Sequence, residues 1–171
     1  MEPVTAYLGL GSNLGQREAN LTEAVRFLAQ DSQIAVIRAS SVYETAAWGY
    51  SDQPDFLNCV LEVETTLEPV PLLERVKEVE AQVGRKPSFR YGPRAIDVDI
   101  LLYGTLVIQV GDPDLQIPHP RMTQRAFVLA PLAEIAGDVA HPVLQCTVEK
   151  LARQVEGKGG VRVWGPPPRV G

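Results

Sequence analysis

Apolar residues in the first part of the chain recur at spacings that predict a strand, a helix and a second strand. The apolar run Thr5–Leu10 predicts a buried strand, and Gly11–Gly15 predicts the turn that ends it. Ile34–Tyr43 is rich in isoleucine, valine and serine, which favours another strand. Between them, residues at helical spacing predict the buried stripe of an amphipathic helix: Leu21, Ala24, Val25 and Leu28.

The middle of the chain predicts a strand, a helix and a strand. Asp55–Thr66 alternates between apolar and polar residues, so one of its faces is expected in the core. A helix is predicted over Pro69–Val83, because prolines suit a first helical turn and Gly84 suits the position after the last one. Ala95–Tyr103 alternates again and predicts a strand. The apolar face of the first strand consists of Leu57, Cys59, Leu61 and Val63.

The last part of the chain adds elements to this series. Leu106–Val110 is expected to pair with the preceding strand as a hairpin. Apolar spacing predicts helices over Arg121–Ala136 and Thr147–Val155. Gly157–Gly171 contains three consecutive prolines and predicts an extended polyproline II tail.

The resulting order β-α-β-β-α-β is that of the ferredoxin-like split fold. We therefore expect an α+β protein in which helices cover a mainly antiparallel sheet, with C-terminal additions to the core. No stretch has the composition of a linker between domains. Residues 1–156 are thus expected to form one domain, followed by the Gly/Pro-rich C-terminal tail 157–171.

Composition and charge narrow the range of partners. The chain has 171 residues and a formal net charge of −5, which argues against a duplex nucleic-acid binder, since such proteins usually present a basic face. No apolar run approaches membrane-spanning length and the N-terminus has no basic leader, so we expect a cytoplasmic protein without a membrane partner. Cys59 and Cys146 form no disulfide framework, although a bridge between them stays open.

The segment Gly84–Ile100 combines a pair of carboxylates with three arginines. Asp97 and Asp99 fall on one face of the predicted strand, about 6.6 Å apart along its axis. Two carboxylates so placed suit a pair of Mg²⁺ ions, which fill their remaining positions with phosphate oxygens and water. The alternative is a half-exposed strand with two solvated aspartates after an ordinary basic loop. The arginines, which suit phosphate, are Arg85, Arg90 and Arg94.

Other polar residues each allow two interpretations. Phe56 and Asn58 share a strand face, where they could stack on a flat heterocycle and bind its edge, or cover the sheet edge and cap a turn. Glu80 lies one turn before Gly84, and is either part of the site or an ordinary solvated glutamate. His119 is held between two prolines, which suits a ligand contact or a rigid corner.

Four motifs in order cover roughly residues 5–136. They are Gly11–Gly15, Asp52–Asn58, Gly92–Ile100, and Pro118-His119 together with Arg125–Phe127. Together they closely resemble the 6-hydroxymethyl-7,8-dihydropterin pyrophosphokinase family of folate synthesis. The chain beyond about Val155 lies outside this resemblance.

The resemblance implies an ATP- and Mg²⁺-dependent enzyme that transfers pyrophosphate from ATP to the hydroxymethyl group of the pterin and releases AMP. It implies two Mg²⁺ ions on Asp97 and Asp99, with small-molecule substrates as the partners of a monomer. The implied catalytic residues are Arg85, Arg94 and Asp97. The implied ATP contacts are Glu80, Arg85, Arg94, Ile100, His119 and Arg125. The implied pterin contacts are Thr45, Ala46, Phe56, Asn58 and Phe127.

Two alternative functions would use the same fold. A non-catalytic nucleotide- or pterin-binding regulatory module is one, and the Asp97/Asp99 pair with Arg85 and Arg94 argues against it. A two-metal phosphodiesterase is the other. It would need a water-activating His/Asp cluster, and none accompanies the two aspartates in the sequence.

Overall fold

The protein is described by a computed structural model covering residues 2–46, 54–84 and 95–169. The strands are β1 (Val4–Ser12), β2 (Ile34–Ala39), β3 (Val42–Thr45), β4 (Phe56–Thr65), β5 (Asp97–Tyr103), β6 (Ile108–Val110), β7 (Leu115–Ile117) and β8 (Val161–Gly165). The α-helices are α1 (Arg17–Gln30), α2 (Pro69–Val83), α3 (Ala126–Ala136) and α4 (Val148–Gln154). Short 3₁₀ turns occupy Met122–Gln124 and Lys158–Gly160.

The main sheet has the strand order β5-β1-β4-β3-β8, and β2 also pairs with β4. Every pairing in it is antiparallel. If β2 and β3 are counted as one interrupted strand, the central order is that of the ferredoxin-like split fold, so the predicted α+β class is confirmed. This order places β1 between β4 and β5, which are far apart in the sequence.

Helices cover the sheet on both sides, and each side has its own hydrophobic core. Residues of α1 and α2 pack on one face, against alternate residues of the three central strands. Residues of α3 and α4 pack on part of the other face, around Tyr7, Val60 and Leu101. The predicted stripe of α1 and the predicted apolar face of β4 are all buried in the first core, as expected.

The predicted single strand over Ile34–Tyr43 is wrong, because it is interrupted between β2 and β3. The hydroxyl of Ser40 accepts a hydrogen bond from the Val60 N–H at 2.9 Å and donates to the Ser41 carbonyl at 2.8 Å. At this position the Ser40 hydroxyl therefore takes the place of a backbone carbonyl as the hydrogen-bond acceptor between the strands. The interruption lets β2 and β3 pair with successive parts of β4.

Other predictions of secondary structure differ from the structure as well. The strand β1 continues through Gly11 to Ser12, so the turn begins after the predicted Gly11. The hairpin predicted between β5 and Leu106–Val110 is wrong, since β6 pairs with β7 in a separate two-stranded sheet. The polyproline II conformation predicted for the tail is wrong at Val161–Gly165, which forms β8 at the edge of the main sheet.

The two cysteines are free thiols. Cys59 lies in the first core, and burial raises the pKa of its thiol to about 12. Within residues 2–46, 54–84 and 95–169, no helix is both long and apolar enough to cross a membrane.

Candidate functional site

The candidate site is built on two rows of residues that cross the three central strands. In one row, Gly11 of β1 lies between Asn58 of β4 and Asp97 of β5. In the next row, Gly9 lies between Val60 and Asp99. Directly opposed residues of antiparallel strands point to the same side, so both carboxylates share a face with both glycines. We call this the site face.

The two glycines leave the middle of the site face without side chains. A Cβ atom on Gly11 would lie 3.0 Å from Asn58 Oδ1 and 3.4 Å from Phe56 Cδ1. A Cβ atom on Gly9 would lie 3.4 Å from the methyl groups of Leu101. The side chains of Phe56, Asn58 and Leu101 thus approach β1 closely. The two glycines form a floor that has no side chains of its own, between β4 and the two aspartates. A glycine within a strand often marks such a close approach.

Asp97 and Asp99 are held on the site face by their apolar neighbours. Ile96, Val98 and Ile100 are buried against α1 and α2 on the opposite side of β5. Asp97 is partly exposed, and the side chain of Asp99 keeps 46% of its surface accessible. The predicted placement of the two carboxylates on one strand face is therefore found in the structure.

Glu80 of α2 is 3% exposed, so the interpretation as a solvated glutamate is wrong. Its Oε2 atom accepts a hydrogen bond from the Val98 N–H at 2.9 Å, and Lys77 Nζ lies 3.5 Å from Oε1. Val98 lies between Asp97 and Asp99 in the sequence. Glu80 thus holds the backbone of β5 at the point where the two carboxylates are presented.

His119 connects the Pro118-His119-Pro120 segment to this part of β5. The backbone N–H of His119 donates to the Leu101 carbonyl at 3.0 Å. Its ring Nδ1 accepts a hydrogen bond from the backbone N–H of Arg121 at 3.2 Å. The proton of the neutral ring is therefore on Nε2, which lies 3.9 Å from Asp99 Oδ1. Burial lowers the pKa of His119, the Asp99 carboxylate opposes that shift, and Arg125 adds to it.

Asn58 and Phe56 flank the glycine floor on the β4 side. Asn58 is 6% exposed and lies within the strand, so the interpretation as a turn cap is wrong. In the described part of the chain, its Nδ2 atom has no hydrogen-bond acceptor. A buried amide donor without a partner is costly, which makes it a ready contact for a ligand acceptor. Thr45 lies directly opposite Phe56, at the end of β3.

Phe127 lies in the first turn of α3, the helix that packs over the site face. Its ring is partly buried, and the guanidinium carbon of Arg125 lies 5.5 Å from the ring centroid. The geometry is that of a cation–π contact. An aromatic surface and a cation therefore adjoin at the start of α3.

Some predicted site residues are placed differently or fall outside the described residues. The side chain of Ile100 is buried in the first core, so any ligand contact there has to use its backbone. Ala46 follows β3 and is exposed. Arg85, Arg90 and Arg94 lie outside the described residues.

Sequence reasoning missed the floor formed by Gly9 and Gly11. The available signal was a pair of glycines two positions apart, which would face the same side of a strand. The prediction instead assigned Gly11 to a turn. The burial of Glu80 was missed as well, and the local sequence contains no signal for it.

The donor set on the site face fits a hard cation that is shared with a substrate. Among the described residues, no cluster of three or more histidine, cysteine, aspartate or glutamate side chains could by itself hold a metal. Asp97 and Asp99 offer two carboxylates beside two strand positions that carry no side chain, Gly9 and Gly11. Mg²⁺ is commonly held by one or two carboxylates, with phosphate oxygens and water completing its coordination.

Comparison with known families adds an independent finding. Residues 7–137 match the family model described as 7,8-dihydro-6-hydroxymethylpterin-pyrophosphokinase. The chain is 46% identical over 160 residues to the 2-amino-4-hydroxy-6-hydroxymethyldihydropteridine pyrophosphokinase of Bacillus subtilis, covering 93% of this chain and 89% of that protein. It is 47% identical over 139 residues to the enzyme of the same name from Aquifex aeolicus, covering 81% and 84% of the two chains.

Solved structures give the same result for the fold. The chain superposes on the Plasmodium falciparum HPPK-DHPS structure with pteroate at a TM-score of 0.73 and 16% sequence identity. The superposition covers 90% of this chain and 44% of the Plasmodium chain. At this identity the similarity concerns the fold alone.

Proposed function

The chain belongs to the 7,8-dihydro-6-hydroxymethylpterin-pyrophosphokinase family, and on that premise we propose that it is the pyrophosphokinase of folate biosynthesis. In this reaction, pyrophosphate passes from ATP to the hydroxymethyl oxygen of 6-hydroxymethyl-7,8-dihydropterin, and AMP is released. The substrates are small molecules, and the protein acts as a monomer.

The row Asn58–Gly11–Asp97 is the observation that carries this proposal. At one end, the row offers a buried amide donor without an acceptor among the described residues. At the other end it offers a carboxylate, and the floor between them is bare backbone. A flat ring with acceptor atoms and an attached hydroxymethyl group suits this arrangement, with the ring at Asn58 and the reacting oxygen toward Asp97.

The pterin half of the proposed site lies on β3, β4 and α3. Phe56 and Phe127 supply aromatic surfaces for stacking on the ring, and Asn58 reads its edge. Thr45, directly opposite Phe56 at the end of β3, and the following Ala46 supply backbone groups. Because Arg125 lies over the Phe127 ring, the pterin contact adjoins a phosphate contact.

The nucleotide half lies along β5 and the segment around His119. Asp97 and Asp99 would hold two Mg²⁺ ions, which when bound neutralise the triphosphate charge and polarise its oxygens. His119 and Arg125 are proposed to bind phosphate, while Glu80 and the Ile100 backbone contact the nucleotide. The sequence adds Arg85 and Arg94 as cationic partners of the transferred group.

The chemical step requires alignment and charge neutralisation. The stacking pair and Asn58 hold the hydroxymethyl oxygen in line with the β-phosphorus, and orientation of this kind lowers the barrier. Asp97 is proposed to accept the hydroxyl proton at a carboxylate oxygen, which its position in the same row as Asn58 supports. Arg85 and Arg94 stabilise the charge that develops on the transferred group.

Nucleotide analysis after incubation with ATP, Mg²⁺ and the hydroxymethyl-dihydropterin tests the proposal. We expect pterin-dependent formation of AMP and a pterin pyrophosphate. ADP as the main product would mean transfer of a single phosphoryl group and would refute the assignment. Pterin binding without any turnover would instead identify a non-catalytic binding module on the same fold.

A further inference from the structure

The C-terminal strand β8 lies outside the residues that match the family model, yet it completes one edge of the main sheet. It pairs with β3, with Thr45 opposite Val161 and Glu44 opposite Arg162. On its other side, β3 pairs with β4, with Thr45 opposite Phe56. Arg162 therefore lies on the strand next to Thr45 and two strands away from Phe56, at the level of both residues.

Arg162 belongs to a network of two cations and two carboxylates. Its Nη2 atom lies 2.6 Å from Glu44 Oε1 and 3.3 Å from Asp55 Oδ2. Arg17 Nη1 lies 2.8 Å from Glu44 Oε2 and donates to the Asp55 carbonyl at 2.9 Å. Hydrogen bonds from Arg17 and Arg162 lower the pKa of Glu44. The Glu44 carboxylate is thus shared between the two arginines, while Asp55 contacts Arg162 through its carboxylate and Arg17 through its backbone carbonyl.

The network fixes the residues that immediately precede two proposed pterin contacts. Glu44 precedes Thr45 at the end of β3, and Asp55 precedes Phe56 at the start of β4. Successive strand residues point to opposite faces, so the charges of Glu44 and Arg162 lie on the side away from Phe56 and Thr45. The network therefore holds the ends of β3 and β4 from the face opposite to Phe56, whose side chain stays partly exposed.

We propose that Arg162 is a positioning residue for the pterin, and that β8 is a functional part of the binding site. By bridging Glu44 and Asp55, Arg162 fixes the distance between the ends of β3 and β4. This sets the position of the Phe56 ring against the Thr45 backbone. The inference rests on the proposed function, since it assigns Arg162 to the pterin half of that site.

A purely structural role predicts a different result. A partly exposed ion pair contributes little to the free energy of unfolding, so its loss should change the melting temperature only slightly. If Arg162 only stabilised the sheet edge, its removal would leave the affinities for both substrates equal to those of the wild type, or lower both together. A selective loss of pterin affinity separates positioning from stability.

The experiment compares three variants of the full chain. Arg162→Ala removes the bridge, and Arg162→Lys keeps a cation at the same place on β8. Arg153→Ala is the matched control, because Arg153 is an exposed arginine of α4 whose partner is Glu149 in the same helix. The dissociation constants for the pterin and for MgATP, the two KM values and the melting temperature are measured for each protein.

We expect Arg162→Ala to weaken pterin binding by about fivefold, the upper range for loss of a partly exposed charge pair. MgATP binding should change by less than about twofold, and lysine should restore most of the pterin affinity. Arg153→Ala should behave as the wild type. Equal effects on both substrates, or an unchanged pterin affinity in Arg162→Ala, would overturn the inference while leaving the enzyme assignment intact. Absence of pterin binding in the wild type would overturn both.

Discussion

Two neighbouring rows of residues cross the same three strands one residue apart, and one lies in the core while the other forms part of the proposed site. The row Cys59–Leu10–Val98 faces α1 and α2 and is buried throughout. The row Asn58–Gly11–Asp97 faces the other side, where it carries a donor, a gap and a carboxylate. The backbone that the first core fixes is also the backbone that presents the site. Because the side chains of the two rows point to opposite sides, stability should depend mainly on the first row and ligand binding mainly on the second, and this division can be tested.

The largest expected effect concerns the aspartates of the site face. Asp97→Ala or Asp99→Ala should lower kcat/KM by about a hundredfold or more if each is a metal ligand as proposed, because loss of such a ligand costs several kcal/mol in the transition state. The fold should remain intact, since Ile96, Val98 and Ile100 still anchor β5. In the absence of Mg²⁺ the melting temperature should rise slightly, because two neighbouring anions no longer repel each other.

Turnover and melting temperature measured on the same preparations decide this case. Unfolded variants would make the aspartates structural residues. Folded variants with near-normal turnover would exclude them from the metal site.

The next prediction concerns the buried face of the sheet, which packs against α1 and α2. Leu61→Ala should reduce the free energy of unfolding by about 2–5 kcal/mol, because Leu61 is fully buried and its truncation leaves a cavity. The molecules that remain folded should bind both substrates with affinities close to those of the wild type. Denaturant unfolding and substrate titration check the two parts. A large loss of affinity with little loss of stability would show that the two faces are not separable in this way.

A smaller effect tests how far the site extends onto α3. Phe127→Ala should weaken pterin binding by about 1–3 kcal/mol, if its stacking resembles that of a base on an aromatic side chain. ATP affinity should barely change. Titration of the folded variant with each substrate measures this difference. Equal losses for both ligands would assign Phe127 to the fold instead.

The smallest expected effect comes from adding a methyl group to the floor. Gly11→Ala should weaken pterin binding by about 1 kcal/mol, because its Cβ would lie 3.0 Å from Asn58 Oδ1 and shift that side chain. Gly9→Ala is the matched control, since its Cβ would meet only the flexible end of Leu101 at 3.4 Å. Pterin titration of both variants checks this order. Similar losses in the two would show that the floor as a whole, and not the position of Asn58, limits binding.

Local patterns were sufficient to predict much of the packed face and the position of the aspartates. Alternation alone placed Leu57, Cys59, Leu61 and Val63 in the core, because burial on one face imposes a period of two on a strand. The same period put Asp97 and Asp99 on one face.

Features that depend on distant partners could not be predicted in this way. The break at Ser40 depends on the Val60 backbone, and the burial of Glu80 depends on Val98. The strand β8 forms because β3 offers it an edge, whereas its own sequence, next to three prolines, indicated a polyproline II tail. The partners in each case are remote in sequence, so a pattern read over a few residues contains no information about them.

The central position of β1 also has a consequence for how the protein acquires activity. The residues on its two flanks come from distant parts of the chain, so the row Asn58–Gly11–Asp97 is assembled only when all three strands have paired. Pairing strands that are far apart in the sequence requires the closure of long loops, which is slow, and the stabilising contacts between such strands form late in folding. Binding competence should therefore appear during refolding only with the final cooperative step, which makes ligand binding a reporter of complete folding.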